Sequence, residues 1–402
     1  MAKRANPTAD GLHQLTFFEL KRKVSTKMVE VAEAPDPAIP AAKLFCVVLA
    51  LMGIGLAVQA GHAATTVGSF AEYLGAVKEH LIFRGGGILA MVAAYWIGPA
   101  GIRRFIPFLL VVAGLFLILV YVEPFSARLN GSRRWVTLLP GLTFQPSELA
   151  RIVLVLWVAD RCVRLGDGLR EFKTGLLPIL AVIVTYFALV AAETDLGGSL
   201  LLFICGIATL WVGGGKAAHL ALSVVAFGGG AITAGAAMIP YIRGRVDMFF
   251  GATQNEQVLS SIDAIALGGW EGMGLAQGVV RTTGIPYLSS DYVFSQIGEE
   301  LGFFGTTLVL VLLLSFLWFS LRLVLSIRDR FQALVAFGLL LSVAMQAMIH
   351  VQVNSGLAPP KGMTLPFISD GGTSLLVSSF AVGLALGASR RYQPPGIVSE
   401  ES

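Results

Sequence analysis

Long uncharged apolar runs constrain this chain more than any other feature of its sequence. Nine such runs have lengths near the ~20 residues that an α-helix needs to cross a bilayer. Apolar side chains make up 55% of the 402 residues and charged side chains only 13%, which leaves too little polar surface for a soluble globule. The runs cover residues 44–61, 85–101, 106–122, 175–192, 196–215, 219–242, 301–321, 333–347 and 374–388.

A tenth, weaker run covers residues 147–163. Its apolar centre lies between Glu148 and Arg151 at one end and Asp160 and Arg161 at the other. Charges at such positions are tolerated where a helix faces protein or the membrane interface. The sequence therefore predicts an all-α polytopic membrane protein with about ten transmembrane helices.

The distribution of basic residues predicts the orientation. Short loops rich in Lys and Arg stay in the cytoplasm, and every second connection carries such residues. We expect cytoplasmic tails at 1–42 and 391–402, a transmembrane domain at 43–390, and a large outer-face loop at about 241–300 between helices 7 and 8. The protein is predicted to be a multi-pass membrane protein with both termini in the cytoplasm. The net charge of +4 belongs to these loops, so nucleic acid is not expected as a partner.

The first outer segment and the helix that follows it carry four candidate binding residues. Arg133 and Arg134 suit bidentate binding of a pyrophosphate, although arginines beside a membrane more often anchor a helix end near headgroups. Glu148 and Arg151 share a helix face at i,i+3 spacing. They either form a partly buried structural ion pair or face a substrate.

Three further charged residues stand in apolar surroundings. Asp195 lies in a short polar island between two apolar runs and is either functional or a helix cap. Asp291 is isolated among apolar and hydroxyl residues, so we expect a raised pKa that suits a general base acting on a hydroxyl group. Lys361 is either the cation for an anionic ligand or a solvated loop lysine.

The sequence contains no Cys/His metal cluster and none of the phosphate-binding or nucleophile motifs of soluble enzymes. Cys46, Cys162 and Cys205 lie in or beside apolar runs without paired spacing. They are interpreted as small membrane hydrophobes, and no metal ligand is predicted.

Six motifs, taken in order, resemble the SEDS family (shape, elongation, division and sporulation) of peptidoglycan glycosyltransferases. The resemblance covers nearly the whole chain, and Pro360-Lys-Gly-Met-Thr-Leu-Pro-Phe367 and Gly268-Gly-Trp270 are more similar to the family's division members than to its elongation members. The six motifs are Asn130-Gly-Ser-Arg-Arg-Trp135, Phe144-Gln-Pro-Ser-Glu-Leu-Ala150, Asp195-Leu-Gly197, Gln257-Val258 with Gly268-Gly269 and Gly272, Asp291-Tyr-Val-Phe294 with Glu299-Glu-Leu-Gly302, and Leu365-Pro-Phe-Ile-Ser369 with Gly371-Gly372.

The resemblance implies polymerisation of lipid II into glycan strands at the outer face of the bacterial cytoplasmic (inner) membrane, for septal wall synthesis in cell division. It implies that Asp291 is the essential catalytic residue. A class B penicillin-binding protein as transpeptidase and other divisome membrane proteins are the implied partners, and a divalent cation (Mg²⁺ or Mn²⁺) is one way to balance the leaving group's charge. With the charged candidates above, the predicted substrate-binding residues are Arg133, Arg134, Glu148, Arg151, Asp195, Gln257, Lys361 and Ser369.

The chain departs from the family pattern at several positions, which leave the catalytic aspartate intact but affect fine substrate contacts. The family usually has a lysine at Arg151, Gln-Pro at Glu193-Thr194, a tyrosine at Asp370, and an acidic residue and a histidine at Tyr287 and Ser289.

Other functions fit the same residues. A transporter that flips lipid II or another lipid-linked precursor uses intramembrane acids and broken helices as well. Transport depends more on midplane residues such as Glu148, whereas chemistry favours an outer-loop carboxylate such as Asp291. An elongation polymerase and a non-catalytic scaffold for division proteins are further alternatives.

Overall fold

A computed structural model describes residues 36–123, 126–129, 132–139, 142–230, 233, 256–279 and 288–390. Several predictions fall outside these residues: most of both tails, most of the second half of the run at 219–242, Asn130 and Tyr287. The backbone of Arg133 is described as part of a strand, but its side chain lies outside the description.

The described chain is mostly helical, as predicted. Helix α1 begins at Ala38, inside the predicted tail, and α8 lies within the predicted large loop. The helices are α1 (Ala38–Thr66), α2 (Phe70–Ile102), α3 (Ile106–Leu119), α4 (Pro146–Leu165), α5 (Leu177–Ala192), α6 (Leu196–Val212), α7 (Ala217–Ser223), α8 (Glu256–Gly268), α9 (Val293–Ser326), α10 (Arg330–Asn354) and α11 (Gly372–Gly387), with a single helical turn at Leu288–Asp291.

Within the described residues, five helical stretches are long and apolar enough to cross a membrane. One of them, Phe70–Leu119, joins α2 and α3 and bends where Gly98 has a φ of +61° before Pro99. Three shorter apolar helices, Leu196–Val212, Ala217–Phe227 and Gly372–Gly387, accompany them. These helices support the prediction of a membrane protein. The count of ten crossings and the sidedness of the termini stay predictions.

Helix α4 lies at the centre of the helical assembly. Every residue from Ala150 to Asp160 is buried, and the helix contacts α3, α6, α10 and α11. This burial explains why the run is weaker in apolar character, since a helix that faces protein on all sides can carry charges at its ends. Of the two predicted placements, facing protein or at the membrane interface, the burial of 150–160 supports the first.

Helices α2 and α11 pack closely because glycines remove side chains from their interface. A Cβ at Gly383 would overlap the Met91 carbonyl oxygen, and a Cβ at Gly387 would lie 2.7 Å from the Tyr95 carbonyl oxygen. Small residues allow transmembrane helices to approach in this way.

The expectation of an all-α protein is wrong for one segment. Strands β1 (Ser126–Leu129), β2 (Ser132–Leu139) and β3 (Leu142–Phe144) form an antiparallel sheet in the order β1-β2-β3. Asn-Gly and Pro-Gly lie between the strands in the sequence, and both pairs are typical of hairpin turns. The β-branched and aromatic residues of β2 and β3 favour extended structure.

A buried carboxylate anchors α4 at the end opposite Glu148. Asp160 accepts hydrogen bonds from Arg103 Nε at 2.8 Å and Arg164 Nε at 2.6 Å. Its side chain is only 3% exposed. The guanidinium of Arg103 also lies over the ring of Phe331, 4.4 Å from its centroid, so the contact joins α4, α10 and the turn after α2.

Replacing Asp160 by Ala should destabilise the helical assembly. The change leaves Arg103 without its acidic partner, and we expect a loss of roughly 1–3 kcal/mol, because Arg164 is half exposed and contributes less than a fully buried partner. Thermal unfolding of the purified protein in detergent measures the effect. Asp167→Ala, which removes an exposed aspartate nearby, is the matched control, and equal melting temperatures for the two variants would contradict the anchoring role.

Candidate functional site

A cavity of about 310 Å³ opens where helix ends and loops meet. This volume falls within the roughly 300–1,000 Å³ typical of ligand pockets. Besides the candidate base Asp291, its wall contains five charged side chains, which are those of Glu148, Arg151, Asp195, Lys361 and Asp370. The predicted site residues that line it are Glu148, Arg151, Asp195, Asp291 and Lys361.

Asp195 holds the short connection between α5 and α6 against the cavity wall. It caps α6, accepting the Gly198 N–H at 2.9 Å, and it also accepts the Gln145 amide at 3.0 Å. Lys361 Nζ lies 3.5 Å from its Oδ1. Burial alone would raise the pKa of Asp195, but the charges of Lys361 and Arg134 and the Gly198 hydrogen bond outweigh burial and lower that pKa. Asp195 is therefore a helix cap that also lines the cavity, and a functional role for it stays a prediction.

Lys361 projects from the segment between α10 and α11 to reach Asp195. Burial lowers the pKa of Lys361 to about 8, while Asp195 opposes this shift and Arg134 adds to it. The ammonium is therefore charged at neutral pH but close to its titration. A Cβ at Gly197 would overlap the end of the lysine side chain, so glycine at this position makes room for the cation.

The turn at Glu193 and Thr194 lies behind this ion pair. Burial and the neighbouring Asp195 raise the pKa of the Glu193 carboxyl to about 9. Thr194 has a φ of +62°, which is strained for a β-branched residue. Arg134 donates to the Thr194 carbonyl oxygen at 2.7 Å. Arg134 thus supports the turn and is not part of the cavity wall.

Arg151 is buried in the cavity wall and does not use Glu148 as its hydrogen-bond partner. Its Nη2 donates to the Gln346 side chain at 2.8 Å, and Gln346 in turn donates to Thr364 at 3.1 Å. The Nε of Arg151 and Oε2 of Glu148 are buried without hydrogen-bond partners among the described residues. Each group keeps another interaction, since Arg151 donates to Gln346 and its charge acts on Glu148. The two alternatives, a structural ion pair and a substrate-facing role, therefore both stay predictions.

Asp291 ends the helical turn that precedes α9 and is partly buried at the cavity wall. Gly362 lies directly beside it. A Cβ at Gly362 would be 2.6 Å from Oδ2 of Asp291. Because Gly362 has no side chain, the Asp291 carboxylate has room to lie at the cavity wall.

Two other predicted binding residues lie outside the cavity wall. The hydroxyl of Tyr292 lies 3.5 Å from Oε1 of Gln257, which is at the distance limit of a hydrogen bond. Ser369 donates to the Ser290 carbonyl oxygen at 2.6 Å. Among the departures from the family pattern, Asp370 does line the cavity, with its carboxylate 3.8 Å from His80 Nδ1.

Gln346 and Thr364 contribute to the site but were not predicted. Neither residue is charged, and each lies in a segment that reads as apolar or irregular, so the sequence offers no signal for them.

The structure does not indicate a metal site, because the described residues contain no group of three or more His, Cys, Asp or Glu side chains that could hold an ion. Divalent-cation binding stays a prediction.

The family model described as "Cell cycle protein", for FtsW, RodA and SpoVE, matches residues 42–393. Stage V sporulation protein E of Bacillus subtilis is 31% identical over 86% of this chain and 96% of its own length. A probable peptidoglycan glycosyltransferase FtsW of Thioalkalivibrio sulfidiphilus is 34% identical over 87% of this chain and 89% of its own.

Solved structures share the fold. A chain from a peptidoglycan synthase complex that coordinates polymerization and crosslinking superposes with a TM-score of 0.71 at 25% identity, covering 87% of this chain and 98% of that one. The rod shape determining protein RodA of Thermus thermophilus gives a TM-score of 0.63 at 23% identity, with 87% and 97% covered.

The titration of Lys361 can be measured directly by competitive amine labelling followed by mass spectrometry. Because its pKa is lowered to about 8, modification of Lys361 should rise through pH 8, where the neutral amine forms. Asp195→Asn keeps the helix cap but removes the opposing charge, so it should move the midpoint to lower pH. Glu193→Gln is the control and should leave the midpoint unchanged. An unmoved midpoint in Asp195→Asn would show that the ion pair does not control the lysine.

Proposed function

The chain belongs to the FtsW, RodA and SpoVE family of cell cycle proteins, and from this premise we propose that it polymerises lipid II into glycan strands with Asp291 as general base. Relatives from several bacteria are named probable peptidoglycan glycosyltransferases, and this chain is an enzyme of the same class. The substrate, the role of Asp291 and the site of action are the parts that we propose.

The observation that carries the proposal is the composition of the cavity wall. Asp291 shares that wall with the two cations Arg151 and Lys361. A carboxylate can accept a proton from a sugar hydroxyl, and buried cations can bind a pyrophosphate. A glycosyl transfer from a lipid pyrophosphate needs both functions in one cavity.

The proposed reaction is an inverting displacement. Asp291 takes the proton from the 4-hydroxyl of the acceptor sugar as the oxygen attacks the anomeric carbon of the growing chain. The bond from that carbon to the pyrophosphate oxygen breaks at the same time, and undecaprenyl pyrophosphate leaves with the electron pair. The new glycosidic bond extends the strand by one disaccharide.

Negative charge develops on the pyrophosphate as it leaves. Placed cations lower the barrier when they lie where this charge forms. Lys361 and Arg151 line the cavity, whereas Arg134 donates a hydrogen bond to the Thr194 carbonyl oxygen and lies outside the cavity wall. We therefore assign leaving-group binding to Lys361 and Arg151, with Arg134 in support. A divalent cation would supply additional positive charge there.

The biological setting is proposed from family membership. Since similarity to FtsW proteins extends over most of the chain, we place this enzyme in the cytoplasmic membrane at the division septum, with its cavity on the outer face. The synthase complex of similar fold couples polymerization to crosslinking. A class B penicillin-binding protein is accordingly the proposed partner, together with other divisome proteins.

Substitution of Asp291 by Ala should abolish polymerisation, because no proton acceptor remains at the acceptor hydroxyl. The assay is gel-resolved glycan synthesis from purified lipid II, with the transpeptidase partner present and its binding confirmed for each variant. Asp263→Ala, the same change at an exposed aspartate of α8, should give strands of parental length and amount.

The outcome also separates the alternatives. Long strands made by Asp291→Ala at the parental rate would rule out the general-base role. If the parent itself binds lipid II but makes no strands, polymerisation is the wrong function. A liposome flipping assay that then depends on Glu148 would favour a transporter.

Substitution of Gly362 by Ala should reduce polymerisation by about 100-fold through displacement of the Asp291 carboxylate, since misplacing a reacting group by about 1 Å can cost that much. The new methyl group meets the flexible end of a side chain, so the fold should persist. Gly53→Ala, at a position on α1 with no atom within 4 Å of the added Cβ, is the control. Parental turnover by Gly362→Ala would contradict the assigned position of the carboxylate.

A further inference from the structure

The backbone that carries Asp291 is held by side chains from three separate parts of the fold. The turn Leu288–Asp291 has only four residues, which is too short for a helix to be stable by itself. Its last three carbonyl oxygens nevertheless all have donors. Ser289 accepts from Gln59 at 2.8 Å and from the Asp370 N–H at 3.0 Å, Ser290 accepts from Ser369 at 2.6 Å, and Asp291 accepts from Asn354 at 3.1 Å.

Asn354 makes the contact nearest to the proposed base. This side chain, at the end of α10, is fully buried. Its Nδ2 also donates to the His350 carbonyl oxygen at 2.9 Å, and its Oδ1 accepts from the Ser295 backbone N–H at 3.2 Å and the Ser295 hydroxyl at 3.0 Å. One amide thus ties the Asp291 carbonyl to both α10 and the first turn of α9.

Gln59 makes the corresponding contact from α1. It is 1% exposed, and a polar amide buried within an apolar transmembrane helix is costly unless it makes hydrogen bonds. Its Oε1 has no hydrogen-bond partner among the described residues, so the bonds of the amide are those of Nε2. Its Nε2 donates to the Ser289 carbonyl oxygen and lies 3.5 Å from the Ile368 carbonyl oxygen. The amide therefore joins the turn to the segment before α11.

We propose that Asn354 and Gln59 are positioning residues, which fix the backbone of Asp291 so that its carboxylate is presented to the cavity. Neither residue lines the cavity, so neither acts on the substrate directly. Ser369, predicted from the sequence as a substrate-binding residue, belongs to the same set through its bond to Ser290. The inference rests on the proposed role of Asp291 as the base.

The mechanism predicts a selective kinetic effect. A displaced base slows the chemical step but leaves the cations of the cavity wall in place, so kcat should fall while KM for lipid II is kept. Reacting groups must be placed to within a fraction of an ångström, and a 1 Å error costs about 100-fold. Loss of one of several tethers should therefore lower kcat by roughly tenfold.

Two variants remove the donors with little change of shape. Asn354→Asp keeps the acceptor for Ser295 but loses the amide that donates to Asp291. Gln59→Met keeps the length of the side chain and introduces no charge, so it provides the result if the buried acid of the first variant prevents folding. Gln332→Met is the matched control, because this buried glutamine lies at the opposite end of α10 and its described hydrogen bond comes from its backbone N–H.

Polymerisation of purified lipid II by the full chain with its transpeptidase partner gives kcat and KM, and hydrogen–deuterium exchange reports the backbone. We expect a roughly tenfold lower kcat, KM within about twofold of the parent, and faster exchange confined to peptides spanning the catalytic turn. Gln332→Met should match the parent in all three measurements.

Parental kcat in Gln59→Met, or in a folded Asn354→Asp, would overturn the positioning role of the residue concerned. Faster exchange throughout the protein together with a lowered melting temperature would show a general packing role and would also overturn it. Asp291→Ala is assayed in parallel. If that variant stays active, the proposed general base fails. If it is inactive while both amide variants turn over normally, only the positioning inference fails.

Discussion

The ion pair between Asp195 and Lys361 is the interaction on which the cavity depends. It joins the short turn between α5 and α6 to the irregular segment between α10 and α11, with the two charged atoms 3.5 Å apart. Irregular backbone is tolerated at membrane depth only where protein buries it or a cavity borders it. A buried carboxylate and a buried ammonium each need a partner, so each charge holds the other's segment in place.

Three residues within the stretch 361–364 of that segment bring the functional groups together. Lys361 pairs with Asp195, the next residue is the glycine beside the Asp291 carboxylate, and Thr364 accepts from the glutamine that binds Arg151. A shift of this short stretch would therefore disturb the proposed base and both proposed leaving-group cations at once. The geometry of the site therefore depends on the position of one segment.

The charged part of the site could be predicted from the sequence, whereas its neutral part could not. A carboxylate beside an apolar run is costly, so Asp195 is recognisable without a structure. Lys361 lies in a loop, where the sequence left open a ligand cation and a solvated lysine. Gln59 and Asn354 sit in helices as neutral amides, and their importance depends on which carbonyl lies opposite, which the chain's periodicity does not encode. Likewise the long apolar runs predict the helices, whereas the three short strands at 126–129, 132–139 and 142–144 produce no comparably strong pattern in the sequence. Arg134 was recognised as an unusual charge, yet its partner, a carbonyl 60 residues away, is set by tertiary structure.

The two ends of α4 have different roles: the Asp160 end stabilises the fold, and the end with Glu148 and Arg151 forms part of the cavity wall. At one end Asp160 is saturated by two arginines, and at the other end Arg151 Nε and Glu148 Oε2 are buried without hydrogen-bond partners among the described residues. Buried polar atoms without hydrogen-bond partners lower stability, so they persist only where the surrounding structure holds them in place. Burial of α4 along its length and the anchored Asp160 provide that support. The helix therefore presents a guanidinium and a carboxyl group to the cavity, each with one buried atom that lacks a hydrogen-bond partner among the described residues.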